Sequence, residues 1–219
     1  MTDMTDARTV WEGFFEQDEN RWREPHEAVG SLVPHLREHG CRDVLDLGCG
    51  AGRHLVHLAD QGFRPYGLDL SRTALHHARA WLRDQGRPVR LVRSDMGALP
   101  FRTESFDALV SLFVIYHGTR AEVARRFEDV HRIVRPGGLV LVNLIGRDHD
   151  RYGRGQQLED HTFAPDVGPD RGVPHRFSDR VEAEALLAEF QLLELVELSA
   201  TQAGERHQHW QVLAKRPAD

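Results

Sequence analysis

Residues 46–52 read Asp46-Leu47-Gly48-Cys49-Gly50-Ala51-Gly52. They close a short apolar run, DVLDL at 43–47, and precede Leu55, Leu58 and Ala59 at helical spacing. A strand, a glycine turn and a helix are expected in that order, because glycine permits the sharp bend and keeps a Cβ away from a ligand approaching the main chain. A dinucleotide site would carry G-x-G-x-x-G. Its third glycine would stand at 53, where the chain has Arg53. Asp46, two residues before the first glycine, would repel a pyrophosphate and suits a ligand with a positive ammonium group.

On either side the strand–helix unit repeats. Residues 64–70 (RPYGLDL) end at Asp69, and Ser71 is placed to cap a helix with Leu75, Ala78 and Leu82 on one face. Strand-like segments recur at 89–93, 106–115 and 138–145. A helix over 121–134 carries an apolar stripe of Val123, Phe127, Val130 and Val134, which Pro136, Gly137 and Gly138 end. A helix over 179–189 precedes strands near 191–199 and 207–215, close enough in sequence to require an antiparallel hairpin. The expected fold is α/β: a doubly wound, mostly parallel sheet of seven strands with helices on both faces. Residues 8–38 read as two helices broken near Pro25, a cap over one end of the sheet. Residues 146–177 lack apolar periodicity and exceed an ordinary connection, so they read as a lid or binding loop. One domain over 1–219 is expected, with a cap (1–40), a core (41–145), a lid (146–177) and a C-terminal helix and hairpin (178–219).

The 219 residues are 40% hydrophobic, enough to bury a core and to exclude a disordered chain. A net charge of -6 argues against a broad nucleic-acid field and favours a small-molecule partner. No window reaches the ~18 apolar residues of a membrane span, and the acidic start is unlike a secretory signal, so a cytoplasmic protein is expected. Cys41 and Cys49 are too few for a disulfide framework.

The motif at 46–52 resembles that of the class I S-adenosylmethionine (SAM) dependent methyltransferases, D-x-G-x-G-x-G after the first strand, and the likeness extends over residues 20–145. GCGAGRHLVHLADQGF and WREPHEAV also look like the tellurite-resistance type and similar small-molecule enzymes. The resemblance implies SAM as cofactor, with Gly48 and Gly50 at the bend and Asp69 of YGLDLS on the ribose hydroxyls, both of which a carboxylate can accept from. It implies Asp95 and Met96 of SDMGALPF at the adenine amino edge, and Leu70 either against adenine or in the core. Ser111, Leu112 and Phe113 would pass the methionine part by backbone or simply pack. Arg23, with Arg21 as near alternative, would reach the methionine carboxylate. The SFDALVSLFVIYH strand and the RPGG turn at 135–138 complete the match.

The activity so implied is in-line transfer of a methyl group to an O, N or S atom of a small molecule. Alternatives are a tRNA or protein methyltransferase, a non-catalytic binder of SAM or S-adenosylhomocysteine (SAH), and last an NAD(P) protein, which Arg53 disfavours. A base is needed only if the nucleophile carries a proton. His117, at the carboxyl edge after the fourth strand, and His175 of VPHRF lead the candidates, followed by His149, His161 and His26. His207 and His209 share one face of the last strand but lack a third ligand of suitable spacing, so no metal is assigned. Trp11, Phe14, Phe15 and Trp22 of the cap line a pocket or pack the cap. The expected partner is a small-molecule acceptor, with no nucleic acid or membrane, and the protein is a monomer or homodimer.

Overall fold

The computed structural model of the chain describes residues 6–17 and 22–218. Helices α1 (Ala7–Glu16) and α2 (Glu27–Glu38) precede β1 (Asp43–Leu47), α3 (Arg53–Asp60), β2 (Arg64–Asp69) and α4 (Arg72–Asp84). There follow β3 (Leu91–Arg93), β4 (Phe106–Ser111), α5 (Arg120–Ile133) and β5 (Val134–Ile145). Short strands β6 (Gln156–Glu159), β7 (Thr162–Ala164) and β8 (His175–Arg176) lead to α6 (Arg180–Leu186), β9 (Gln191–Gln202) and β10 (Glu205–Lys215).

Seven strands form one sheet in the order β3-β2-β1-β4-β5-β10-β9. The pairs among β1 to β5 are parallel, while β10 runs antiparallel to both β5 and β9. β1 is buried along its whole length because it lies centrally with helices over both faces. Alternation decides which face each side chain enters: Leu45 and Leu47 join the cluster under α5, and Val44 joins the one under α2. Caps fix the helix starts. Ser71 Oγ accepts from Ala74 N at α4, and Thr119 and Glu122 form a reciprocal capping box at α5. No described helix is long and apolar enough to cross a membrane.

Several expected boundaries move. The third strand shortens from 89–93 to Leu91–Arg93, and the fourth stops at Ser111 because Phe113 turns to φ 62. β5 starts at Val134, so Pro136 and Gly137 lie inside it. A shift of register against Phe106 and Ala108 lets the chain bulge there instead of breaking. The largest difference is at 146–177, which is no plain loop: β6-β7-β8 form a separate antiparallel sheet. Bridges between His117 and His175 and between Gly146 and Ser178 attach it to the main body.

Candidate active site

The carboxyl ends of the strands open into a cavity of about 1630 Å³. A single ligand pocket holds roughly 300–1,000 Å³, so this one has room for two molecules. The segments after β1, β2 and β3 supply one part of the wall, including Gly48, Gly50, Arg53, Asp69, Leu70, Asp95 and Met96. The segment after β4, the small sheet's connections and β10 supply another, with Tyr116, His117, His149, Asp170, His175 and His209. Because β4 lies at the centre of the strand order, Leu112 and Phe113 stand between the two.

The glycine bend is held by its own N–H groups. Gly48 and Cys49 donate to Leu68 O, Gly50 donates to Asp69 Oδ2 at 2.8 Å, and Gly52 donates to Cys49 O. Four donors that could have met a phosphate are thereby engaged, which removes the main attraction of such a loop for a pyrophosphate. Gly48 lies at φ 77, and a Cβ there would come within 2.5 Å of Val114 Cγ1, so only glycine fits. Asp69 binds the bend on one side and α4 on the other, its Oδ1 accepting from Ser71 N at 2.8 Å. Burial pushes the Asp69 carboxyl up to about 6, against the opposing effect of these hydrogen bonds. Each oxygen still has a second lone pair for a hydroxyl donor.

Asp46 does not reach the cavity wall. It is buried behind the wall beside His54, whose Nδ1 is 3.6 Å from Asp46 Oδ2, an oxygen with no hydrogen-bond partner among the described residues. His54 Nε2 accepts from His26 N, which leaves the ring proton of a neutral His54 on Nδ1, facing the carboxylate. Arg53, absent from the expected binding set, lines the cavity, whereas Arg23 stacks on Trp81 of α4 at 4.3 Å and lines only a shallow neighbouring depression. Arg21 lies outside the described residues. Asp95 is exposed at the rim, with Oδ1 accepting from Gly97 N at 2.7 Å.

Helix α1 lies against the cavity. Glu12 accepts from Arg72 N, Thr73 N and Ser71 Oγ at the start of α4 and pairs with Arg93. Burial opposes its ionisation, but the backbone N–H groups of Thr73 and Arg72 prevail and hold the carboxyl at about 2. This anchor sets Trp11, Phe14 and Phe15 into the wall, with Trp11 edge-on to His117 at 5.1 Å. Trp22, also in the wall, packs on Phe14 at 5.8 Å.

The histidines gather as their sequence positions could not show. His117 Nδ1 faces Val114 O at 2.9 Å and His175 Nδ1 faces Val173 O at 2.8 Å; since a carbonyl only accepts, both Nδ1 atoms carry the proton. The two rings lie 4.5 Å apart. Burial, then the neighbouring His175, holds His117 neutral far below its usual range. His149 Nδ1 accepts from Arg151 N, so in the neutral ring its Nε2 is a donor and not a base. Burial, then His207, lowers His149 to about 4; burial, then His149, lowers His209 to about 3. Asp170, for which the sequence carries no signal, lies 3.1 Å from His175 Nε2 and 2.6 Å from the Arg151 guanidinium. Burial pushes its carboxyl up, but His175 and Arg151 outweigh this and keep it well below the usual range. His26 lines the wall while capping α2 through Nδ1; His161 is outside the wall, bound to Tyr152 Oη at 2.6 Å. Ser111 is fully buried, its Oγ donating to Leu47 O.

Residues 44–138 match the family model described as "Methyltransferase domain". Among curated relatives, a Mycolicibacterium smegmatis protein described as a "Probable S-adenosylmethionine-dependent methyltransferase" is 34% identical over 141 residues, covering 64% of this chain and 52% of its own. A Drosophila melanogaster tRNA N(3)-methylcytidine methyltransferase is 28% identical over 178 residues, covering 73% of this chain and 54% of its own. The chain spans about half the length of these relatives. Two solved structures share the fold. TehB from Haemophilus influenzae has a TM-score of 0.68 at 19% identity, covering 94% of this chain and 67% of TehB. The 1,6-didemethyltoxoflavin-N1-methyltransferase of Burkholderia thailandensis, with 1,6-didemethyltoxoflavin and SAH bound, has a TM-score of 0.68 at 22% identity over 98% and 84% of the two chains.

Proposed function

We propose that the class I SAM-dependent methyltransferase domain carried by this chain moves a methyl group from SAM to an O, N or S atom of a small molecule. The observation that carries this reading is one cavity with two chemically distinct walls. One has an acid-flanked glycine bend whose N–H groups are engaged internally; the other is a set of buried histidines. The residues of the first wall fit SAM. Asp69 has lone pairs to accept from the ribose hydroxyls, Leu70 and Met96 offer apolar contact to the adenine, and Asp95 at the rim can accept from its amino group. Arg53 takes the role expected of Arg23, a guanidinium for the methionine carboxylate. Asp46 acts from behind the wall, where its charge offsets that of the ammonium end.

When bound, the donor supplies a methyl group already made electrophilic by its sulfonium. The chain has to align the nucleophile and exclude water, and orientation of this kind contributes roughly 7–11 kcal/mol. Leu112 and Phe113 separate the two walls, and the Glu12 anchor holds the aromatic face of α1 against the cavity. An acceptor carrying a proton meets the cluster of His117, His149 and His175; His117 and His175, whose Nδ1 protons go to carbonyls, are the ones with an Nε2 able to take it, while the Nε2–H of His149 can only donate to the acceptor. A net charge of -6 and a cavity bounded by α1 and the small sheet favour a small acceptor, as does the likeness in fold to an enzyme of a small heterocycle.

The relationship to a tRNA methyltransferase supplies the competing reading. The test is SAH release from the full chain with SAM and, in separate reactions, pooled small-molecule acceptors, bulk tRNA and protein. Release with the small-molecule pool is expected; release with tRNA or protein alone would overturn the assignment.

A further inference from the structure

His117, His175 and Asp170 form a buried group whose ligating atoms all lie within 4.8 Å of one another. Their residues are 6%, 3% and 7% exposed, and all three line the cavity. The group is assembled by tertiary structure: the bridge between His117 and His175 pairs the segment after β4 with β8, and Asp170 sits in the connection leading into β8. We propose that this group is a binding site for a divalent first-row transition cation, held by His117 Nε2, His175 Nε2 and an Asp170 carboxylate oxygen, whose open positions take the acceptor's ionised oxygen or sulfur.

Three independent features support it. Each imidazole gives its Nδ1 proton to a backbone carbonyl, Val114 O or Val173 O, which leaves Nε2 as the coordinating atom. Metal-bound histidines are oriented by this kind of outer hydrogen bond. Asp170 divides its oxygens: Oδ2 meets Arg151 at 2.6 Å and lies 3.1 Å from His175 Nε2, close to the spacing of two ligands on one ion, while Oδ1 is buried with no hydrogen-bond partner among the described residues. A buried, unsatisfied carboxylate oxygen is costly unless something binds it. Finally, two imidazoles and one carboxylate suit Zn²⁺, Fe²⁺ or Co²⁺, whereas Mg²⁺ and Ca²⁺ prefer sites made of oxygen. A tetrahedral ion with bonds of about 2.0–2.1 Å sets its ligands roughly 3.3–3.5 Å apart, so atoms within 4.8 Å need only a small inward movement. His149, His207 and His209 also cluster nearby, but they include no carboxylate, and His149 Nδ1 is taken by Arg151 N.

The proposal rests on the acceptor's meeting this cluster, and it narrows the substrate class to molecules with an ionisable hydroxyl or thiol. An acceptor R–XH releases its proton to water as X binds the cation. A lone pair on X then forms the bond to the methyl carbon, the pair of the C–S bond returns to sulfur, and the products are R–X–CH₃, SAH and one proton. The ion acts as a Lewis acid and changes no oxidation state.

The test uses the full chain, stripped with a chelator and titrated with Co²⁺ by visible absorption, with Zn²⁺ as competitor and with SAH binding followed separately by calorimetry. One Co²⁺ per chain is expected, with the spectrum of a nitrogen- and oxygen-ligated ion. His117→Gln and Asp170→Asn should weaken Co²⁺ binding by more than the roughly 10–100-fold that losing an outer partner costs. His207→Gln, neither a ligand nor a hydrogen-bond partner of one, should leave Co²⁺ affinity close to that of the unchanged chain. SAH titration of each variant shows whether its donor wall is folded, and the measurement on the unchanged chain stands independently of the variants. Failure of the unchanged chain to bind one Co²⁺ while it binds SAH would overturn the metal site alone. Folded triad variants that bind Co²⁺ as the unchanged chain does, or loss confined to His207→Gln, would also overturn it. Failure to bind SAH would instead count against the methyltransferase reading.

Discussion

Lowering the pH from about 7 to 5 should weaken donor binding through one residue, Asp69. Its carboxyl lies near 6 in the fold against an ordinary value of 3.8, raised first by burial, with Asp46 adding to the rise and the Ser71 and Gly50 hydrogen bonds opposing it. A group with this raised pKa is about nine-tenths protonated at pH 5 and mostly ionised at pH 7. If the ribose hydroxyls donate to the ionised carboxylate, SAH affinity falls by up to about tenfold, or about 1.4 kcal/mol, between those values. His117, His149 and His209 stay neutral throughout, the latter two near 4 and 3, so they contribute little slope. Linkage gives the opposite sign for the ligand-free protein. The folded state binds the proton more tightly than the unfolded state, so the cost of ionising Asp69 is absent below pH about 4, grows as pH rises and is complete above about 6. It reaches on the order of 3 kcal/mol. Calorimetric titration with SAH at both pH values checks this, alongside Asp69→Asn, which should bind weakly with no slope from this group. Equal affinity at both pH values in the unchanged chain, or an unaltered slope in Asp69→Asn, would refute the reasoning.

Arg53→Gln should weaken SAH binding by at least tenfold, about 1.4 kcal/mol, while Arg23→Gln leaves it within twofold; the reverse order by calorimetry would restore the assignment to Arg23. Gly48→Ala forces a methyl group to within 2.5 Å of Val114 Cγ1 at φ 77, so a loss of about 1–3 kcal/mol by urea unfolding is expected. Glu12→Ala leaves backbone donors at the start of α4 without their partner, and hydrogen exchange should show residues 7–16 losing protection while the central sheet keeps its own. Because the Glu12 carboxyl is held near 2, the anchor of the unchanged chain should persist at pH 5 and weaken as pH falls from about 4.5 through 2. His117→Gln should lower turnover by about 10²-fold or more with SAH affinity nearly preserved; equal loss of both would contradict the separation of donor and acceptor walls.

What the sequence shows and what it hides follow a physical divide. The bend at 46–52, the Ser71 cap and the stripe Val123–Phe127–Val130 are set by local conformational preference and by burial with a regular period, and both are written in neighbouring residues. Gly48, Gly50, Asp69, Leu70, Asp95, Met96 and Leu112 line the cavity because each closes or follows a strand. The sheet within 146–177 has strands of two to four residues, too short to display a period of two. Asp170, in the turn-like GPDRG, has no local mark; its place depends on the pairing of His117 with His175, 58 positions apart in sequence. In the sequence Arg53 stands out only for breaking a glycine pattern, and the resemblance points to Arg23 for its place ahead of the first strand. The stacking of Arg23 on Trp81 is a tertiary contact that no spacing rule contains. Phe113 shows a further limit: apolar continuity extends the fourth strand to 115, but its amide donates to Asn143 Oδ1 and the backbone turns aside.

The most direct measurement is calorimetric titration of the full chain with SAH and, separately, with NAD⁺. Internal engagement of the N–H groups of Gly48, Cys49, Gly50 and Gly52 predicts stoichiometric SAH binding and none of the dinucleotide. Retention of NAD⁺ without SAH would contradict it.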